Sequence, residues 1–148
     1  MNREDPMKMS ELLILKVGAK FLLPFILLFA LYVQFHGDFG PGGGFQAGVI
    51  FAAGLILYGL IFGLEALKRA VPPRALEIGM AVGVLMYGGT GVVTLLLGGN
   101  FLDYNVLQPE HPMHGQHWGI MMVEGGVGIA VTCTMTMLYY MFAGRSST

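Results

Sequence analysis

The sequence predicts an all-α membrane protein, a single membrane domain over residues 1–148 that crosses a bilayer four times, and three observations carry that prediction. Hydrophobic residues make up 55% of the chain and charged residues 11%, against about 25% charged in soluble domains. With 8 Lys and Arg and 9 Asp and Glu, the charges are too few to coat a globule of this size, so most of the surface faces lipid. Those charges are also clustered, and the intervals between clusters are apolar windows close to the roughly 20 residues a spanning helix needs. Glycine, at 23 of 148 residues, is about twice as frequent as usual with no collagen-like period, which points to closely packed helices.

The first window, residues 12–35, is interrupted early by Lys16 and Lys20 and is charge-free from Phe21 to Gly37. The two lysines lie about 6 and 12 Å into it at 1.5 Å per residue, on one helix face. Their stems can snorkel to the interface. Charge at the depth of Lys20 is also a mark of ion pathways, so Lys20 is a candidate there. Pro24 removes a helix hydrogen bond and predicts a kink. The second span, 45–64, has no charge between Asp38 and Glu65, and small residues recur at Gly44, Gly48 and Ala52. The third, 76–97, carries Gly79 and Gly83; Glu77 follows Pro72 and Pro73 in a first helical turn, where an acid complements the helix dipole. The fourth, 117–142, holds one acid, Glu124, beside Gly125, Gly126 and Gly128. Its Thr132, Thr134 and Thr136 are expected to bond their own helix carbonyls. Such small-residue stripes let helix backbones approach closely, within the chain or against other chains.

Three connections separate the spans. Lys68, Arg69 and Arg74 occupy the middle one, Arg3, Lys8, Lys16 and Lys20 the N-terminal side and Arg145 the tail, while the first and third contain no Lys or Arg. The positive-inside tendency then makes both termini cytoplasmic and puts the Gly-rich and His-rich connections on the opposite face. The N-terminal residues mix acids and bases and lack an A-x-A cleavage pattern, so the first span is expected to persist in the mature protein. Trp118 and Tyr104 are expected as outer interfacial anchors, Tyr139 and Tyr140 as inner ones. A net charge of −1 offers no basic field for nucleic acid. Cys133, the one cysteine, lies in an apolar stretch and is read as an inert buried thiol.

The segment from His36 to Gly48, HGDFGPGGGFQAG, is Gly-rich but is neither a P-loop, because Phe45-Gln46-Ala47 replaces Lys-Ser/Thr, nor a dinucleotide loop, because Ala47 stands where the third glycine belongs. Pro41 suits a first helical turn, and Gly42, Gly43 and Gly44 permit positive φ or close backbone approach. The second span would then point its free amides into this connection. Glu124 lies about 10 Å past His117 along a helix, and a carboxylate that deep is paired or neutralised. Partly desolvated, with a raised pKa, it could bind Na+ or H+ in turn; the other reading is an anchor bonded to a neighbouring helix. His111, His114 and His117 cannot all face one metal on a helix, and no metal is assigned to them; a hydrogen-bonding or proton-sampling role suits His near an interface. His36 and Asp38, with Asp103 and Glu110, form either a polar mouth or a solvated rim. There is no nucleophile–base arrangement and no ligand spacing for a redox centre, so neither enzyme activity nor a cofactor is expected.

The block P41-G-G-G-F-Q-A-G48, preceded by His36-Gly37, closely resembles the signature of the MnhB/MrpB family, small components of the Mrp/Mnh-type multisubunit sodium/proton antiporters. A second block, H114-G-Q-H-W-G-I-M-M-V-E-G-G-V-G-I-A-V131, is similar to that family's approach to its last helix, and with Pro24-Phe25 the resemblance covers nearly the whole chain. Two departures are Gly40, in place of a small hydroxyl residue, and the stretch from Val106 to Gly115, with Pro109 and Pro112, which has no family equivalent. The resemblance implies a multi-pass component of a bacterial cytoplasmic-membrane complex that exchanges sodium for protons. Large subunits similar to those of respiratory complex I would move the protons, and this chain would serve assembly and the ion pathway. A membrane-bound hydrogenase or a complex I-like redox pump is the alternative setting. The implied partners are the other subunits, lipid, sodium and protons. The ion-pathway candidates are Glu124, Lys20, His36, Asp38, His114 and His117, and the structural motif comprises Pro41, Gly42, Gly43, Gly44, Phe45, Gln46 and Gly48.

Overall fold

The computed structural model describes residues 6–37 and 42–145, with side chains from Leu13 onward; Asp38, Gly40 and Pro41 lie outside the described residues. In chain order the elements are α1 (Pro6–His36), α2 (Gly44–Phe62), α3 (Leu64–Ala70), α4 (Pro73–Leu96), a 3-10 turn (Tyr104–Leu107) and α5 (Pro112–Arg145). α2, α4, α5 and the Leu13–His36 part of α1 are each long and apolar enough to cross a bilayer. The outward faces agree: on α1, Phe21 is 68%, Leu28 64% and Phe35 64% exposed, a surface suited to lipid or other membrane chains rather than water.

α5 lies between α2 and α4, and α1 packs mainly on α2. The small-residue stripes are the contact lines. A Cβ on Gly48 would lie 2.8 Å from the Gly128 carbonyl of α5, and one on Gly83 of α4 would lie 2.6 Å from the Gly126 carbonyl. Gly44 faces the Glu124 main chain and Gly59 faces Tyr139, so α2 and α5 run parallel, whereas Gly83 faces Ala130 and Gly79 faces Cys133, so α4 runs antiparallel to α5. Without a hydrophobic drive between helices in lipid, this backbone proximity supplies the dispersion contacts. The Thr132 hydroxyl donates to its own helix at Gly128 O (2.8 Å) and also reaches Gly48 O of α2 (3.2 Å). Thr136 donates to Thr132 O at 2.7 Å, as its position on one helix implies.

α1 is a single helix that contains Pro24. Several local expectations change. The second span ends at Phe62, because Gly63 adopts φ 97°, and the middle connection is itself helical. Leu67 of α3 is fully buried with Leu76 and Tyr140 at the end of the bundle that carries the termini. Tyr140 is therefore a core residue and not an interfacial anchor: it is 5% exposed, and its hydroxyl donates to Val71 O at 2.7 Å. Tyr140→Phe leaves that carbonyl without its donor and is expected to cost about 1 kcal/mol; a detergent-solubilised melt unchanged from wild type would contradict this. α4 begins at Pro73, which puts Glu77 in its second turn, away from the amides that a first-turn acid would complement. α5 starts at Pro112, before the expected span, and runs to Arg145.

The connection after α4 is latched to the bundle. Thr94 is fully buried, donates to Gly91 O at 2.8 Å and accepts from Leu102 N at 2.9 Å. Phe101 covers Gly91, and the Gln116 side chain donates to Asn105 Oδ1 at 3.0 Å. Leu102, held by Thr94, has φ 62°, a strained setting for a side chain that neighbouring contacts must maintain.

Candidate functional site

At the end of the bundle opposite the termini, one face of α5 presents His117, Met121 and Glu124, spaced so that they stack over two turns. With Gln34 and Phe35 of α1 and Gly125 they line a cleft of about 270 Å³. Glu124 is half-buried there.

The glycine-rich connection closes on this acid. Gly43 N donates to Val33 O at 3.3 Å, folding the chain back onto the last turns of α1. Gly43 has φ 126°, in the region that favours glycine. A Cβ on Gly43 would sit 3.0 Å from Glu124 Oε1, and one on Gly37 would sit 2.9 Å from Oε2. At Gly44 it would run into the Glu124 carbonyl. Both carboxylate oxygens are thus pressed against main chain with no side chain between, next to the first turn of α2, where free amides concentrate partial positive charge.

The other candidates distribute unevenly. His117 shares the cleft with Glu124. His114, a turn earlier on α5, is exposed, its ring 5.7 Å from that of His111. His36 stacks on Tyr32 at 5.1 Å at the end of α1, next to Gly37. Phe45 and Gln46 are exposed while Gly44 and Gly48 face α5, so the motif divides into an outer face and a packing face. Lys20 is at the other end of the bundle, its Nζ 5.9 Å from the ring of Phe62, the last residue of α2. The structure does not bring it to Glu124. Asp38 and Pro41 lie outside the described residues. Asp103 turns its carboxylate to its own loop, accepting from Asn105 N at 3.3 Å and Asn105 Nδ2 at 3.1 Å. Among the described residues, no three His, Cys, Asp or Glu side chains are grouped so as to hold a metal.

One residue at the site, Gln34, was not singled out for it in the sequence. Gln34 lines the cleft and also an adjoining groove of about 300 Å³ that runs inward past Ala30, Ala47, Phe51, Ile129 and Cys133. Its signal was a lone amide in the otherwise apolar second half of α1. Tyr104, expected at the interface, is half-buried against Gly119. Burial, with the neighbouring Tyr87 and then Glu124 contributing, holds its phenol above the ordinary tyrosine value.

Residues 14–137 match the family model described as "Domain related to MnhB subunit of Na+/H+ antiporter". Relatives named "Putative antiporter subunit mnhB2" from Staphylococcus aureus strains Newman, JH1 and NCTC 8325 are each 31% identical over 136 residues, covering 90% of this chain and 96% of theirs.

Proposed function

Because this chain belongs to the MnhB family, and so is a small membrane subunit of a multisubunit cation/proton antiporter, we propose that it contributes a one-sided access route ending at Glu124. The observation that supports this reading is the carboxylate of a spanning helix standing in a cleft with His117 and Gln34. A carboxylate at membrane depth is costly to maintain and takes either a proton or a cation, the two ions an antiporter exchanges. The Gln34 amide oxygen and the carboxylate are the hard oxygen donors a small cation prefers, and the His117 ring adds a hydrogen-bonding nitrogen two turns nearer the end of the bundle. Inward of Glu124 the groove past Ala47, Phe51 and Ile129 is apolar, so the remainder of the route lies with another subunit. The matches favour this setting over a redox-linked complex.

The cleft opens, in this reading, on the outer side of the bacterial cytoplasmic membrane. Lys68, Arg69, Arg74 and Arg145 cluster at the end that carries the termini, a charge bias that supports cytoplasmic termini. His36 and His114 stand at the outer rim of the route, and Asp38 remains a candidate from the sequence alone; Lys20 remains a candidate only for the cytoplasmic end. The test is thiol accessibility in intact cells on a Cys133→Ala background, within the assembled complex. His117→Cys and Met121→Cys are expected to react with a membrane-impermeant maleimide and Phe51→Cys is not. Equal labelling at position 51, or labelling of position 117 only in inverted membranes, would refute the one-sided outer route.

A further inference from the structure

The cleft that holds Glu124 does not end at the acid. Gln34 and Gly125 line both that cleft and the apolar groove of about 300 Å³ that continues toward the termini, so the two hollows share an edge. Resting on the reading of Glu124 as the ion-handling group, we infer that the groove seats a spanning helix of another subunit, which sets apolar side chains into the groove and a Lys or Arg beside Glu124.

The groove follows from the packing order. α2 packs against both α1 and α5, while α1 and α5 touch each other only sparsely. A furrow therefore opens between them, with Ala47, Gly48 and Phe51 of α2 in its lining. Along α5 it extends from Gly125 to Cys133, about 12 Å at 1.5 Å per residue, or roughly two helical turns. The Thr132 hydroxyl in its wall is turned to the carbonyls of Gly128 and Gly48. What remains is an apolar trough of the length that side chains at i, i+3 or i+4 and i+7 of a facing helix fill. Small residues in the lining let the backbone of that helix come close.

The chemistry at the end away from the termini selects the occupant. The cleft presents the Glu124 carboxylate, the Gln34 amide and the His117 ring, and among the described residues no Lys or Arg lines it. Gln34 Oε1 lies against α5, where a Cβ on Gly128 would come within 2.7 Å of it, and among the described residues the Gln34 amide makes no hydrogen bond. An amide and an acid turned to hydrocarbon are costly. A lipid in the groove would bring them hydrocarbon, with a phosphate of the carboxylate's own sign above it. An ammonium or guanidinium matches two oxygen acceptors of this kind. Glu124 precedes Ile129, on the groove wall, by about 7.5 Å along the helix axis, so the basic side chain belongs within about two turns of the apolar ones. Placed there, it favours the ionised acid and competes with sodium for it, so that two subunits together set the occupancy of the site.

The test is photo-cross-linking within the assembled complex on the Cys133→Ala background. Leu31→Cys on the α1 wall and Ile129→Cys on the α5 wall replace residues that are 46% and 39% exposed. Each is coupled in membranes to benzophenone-maleimide and irradiated, and the joined peptides are sequenced. Both are expected to attach to one and the same spanning segment of another subunit, with a Lys or Arg within about two turns of the attachment point toward the end away from the termini. Ile129→Trp crowds the groove and is expected to lower the Leu31→Cys yield, counted per copy of this chain in the membrane, about fivefold or more. Attachment to lipid alone, to two different segments, to a second copy of this chain or to a segment without such a base overturns the inference, as does an undiminished yield in Ile129→Trp. Antiport by Glu124→Gln is read separately: full exchange there removes the ion-handling role of Glu124, while the attachment sites still decide what lies in the groove.

Discussion

Glu124→Gln is expected to lower sodium-driven proton exchange on the order of 100-fold, a loss typical of removing a group that must give and take a proton. Glutamine keeps the size of the side chain and its capacity for hydrogen bonds, so the contacts with Gly37 and Gly43 and the packing of Gly44 on the Glu124 main chain are retained. What disappears is the negative charge and the proton site. The measurement is fluorescence quenching of a ΔpH dye in everted vesicles upon sodium addition, normalised to complex abundance from a tagged neighbouring subunit. Wild-type exchange at wild-type abundance would show that Glu124 only anchors helices. Reduced exchange in proportion to reduced abundance would also assign it to assembly.

Gly44→Ala is expected to be the most damaging single methyl in the described part of the chain. Its Cβ would collide with the backbone carbonyl of Glu124, and main chain at a helix crossing cannot rotate aside as a side chain can. Overpacking of this kind costs typically about 1–3 kcal/mol, and here the displacement also moves α2 off the carboxylate, so both the melting temperature of the solubilised complex and its exchange rate should fall. Gly88→Ala is the control, since a Cβ there meets nothing within 4 Å; it is expected to be neutral or to gain up to about 1 kcal/mol from helix propensity. If the two variants melted alike, the close approach of α2 to α5 at Gly44 would be wrong.

The residues differ in how far their surroundings could be read in one dimension. The four spans were legible because length and apolarity are local properties of the chain, and the glycine stripes because four-residue spacing defines a helix face before any partner is known. The helix after Gly63 was not, because EALKRAVPPR has the charges of a loop, and only its docking of Leu67 beneath Tyr140 reveals the helix as part of the core. Tyr140 itself has the composition of an interfacial anchor, and its burial follows from a hydrogen bond to Val71, far away in sequence. At the site, Glu124 and the glycine run could each be singled out, whereas Gln34 could not be joined to them: nothing along the chain says which faces of α1 and α5 will meet.

Composition and charge spacing by themselves determined a helical protein for a bilayer, the number of its crossings and the presence of one acid within the last of them, because transfer of apolar segments into lipid depends on each segment alone. The tertiary structure decided that the glycine turn after α1 closes on that acid, that Lys20 is left at the other end, and that Gln34 of α1 lines the same cleft. Those outcomes depend on α2 lying parallel to α5 at a separation set by Gly44, Gly48 and Gly128, an arrangement produced by packing between distant segments.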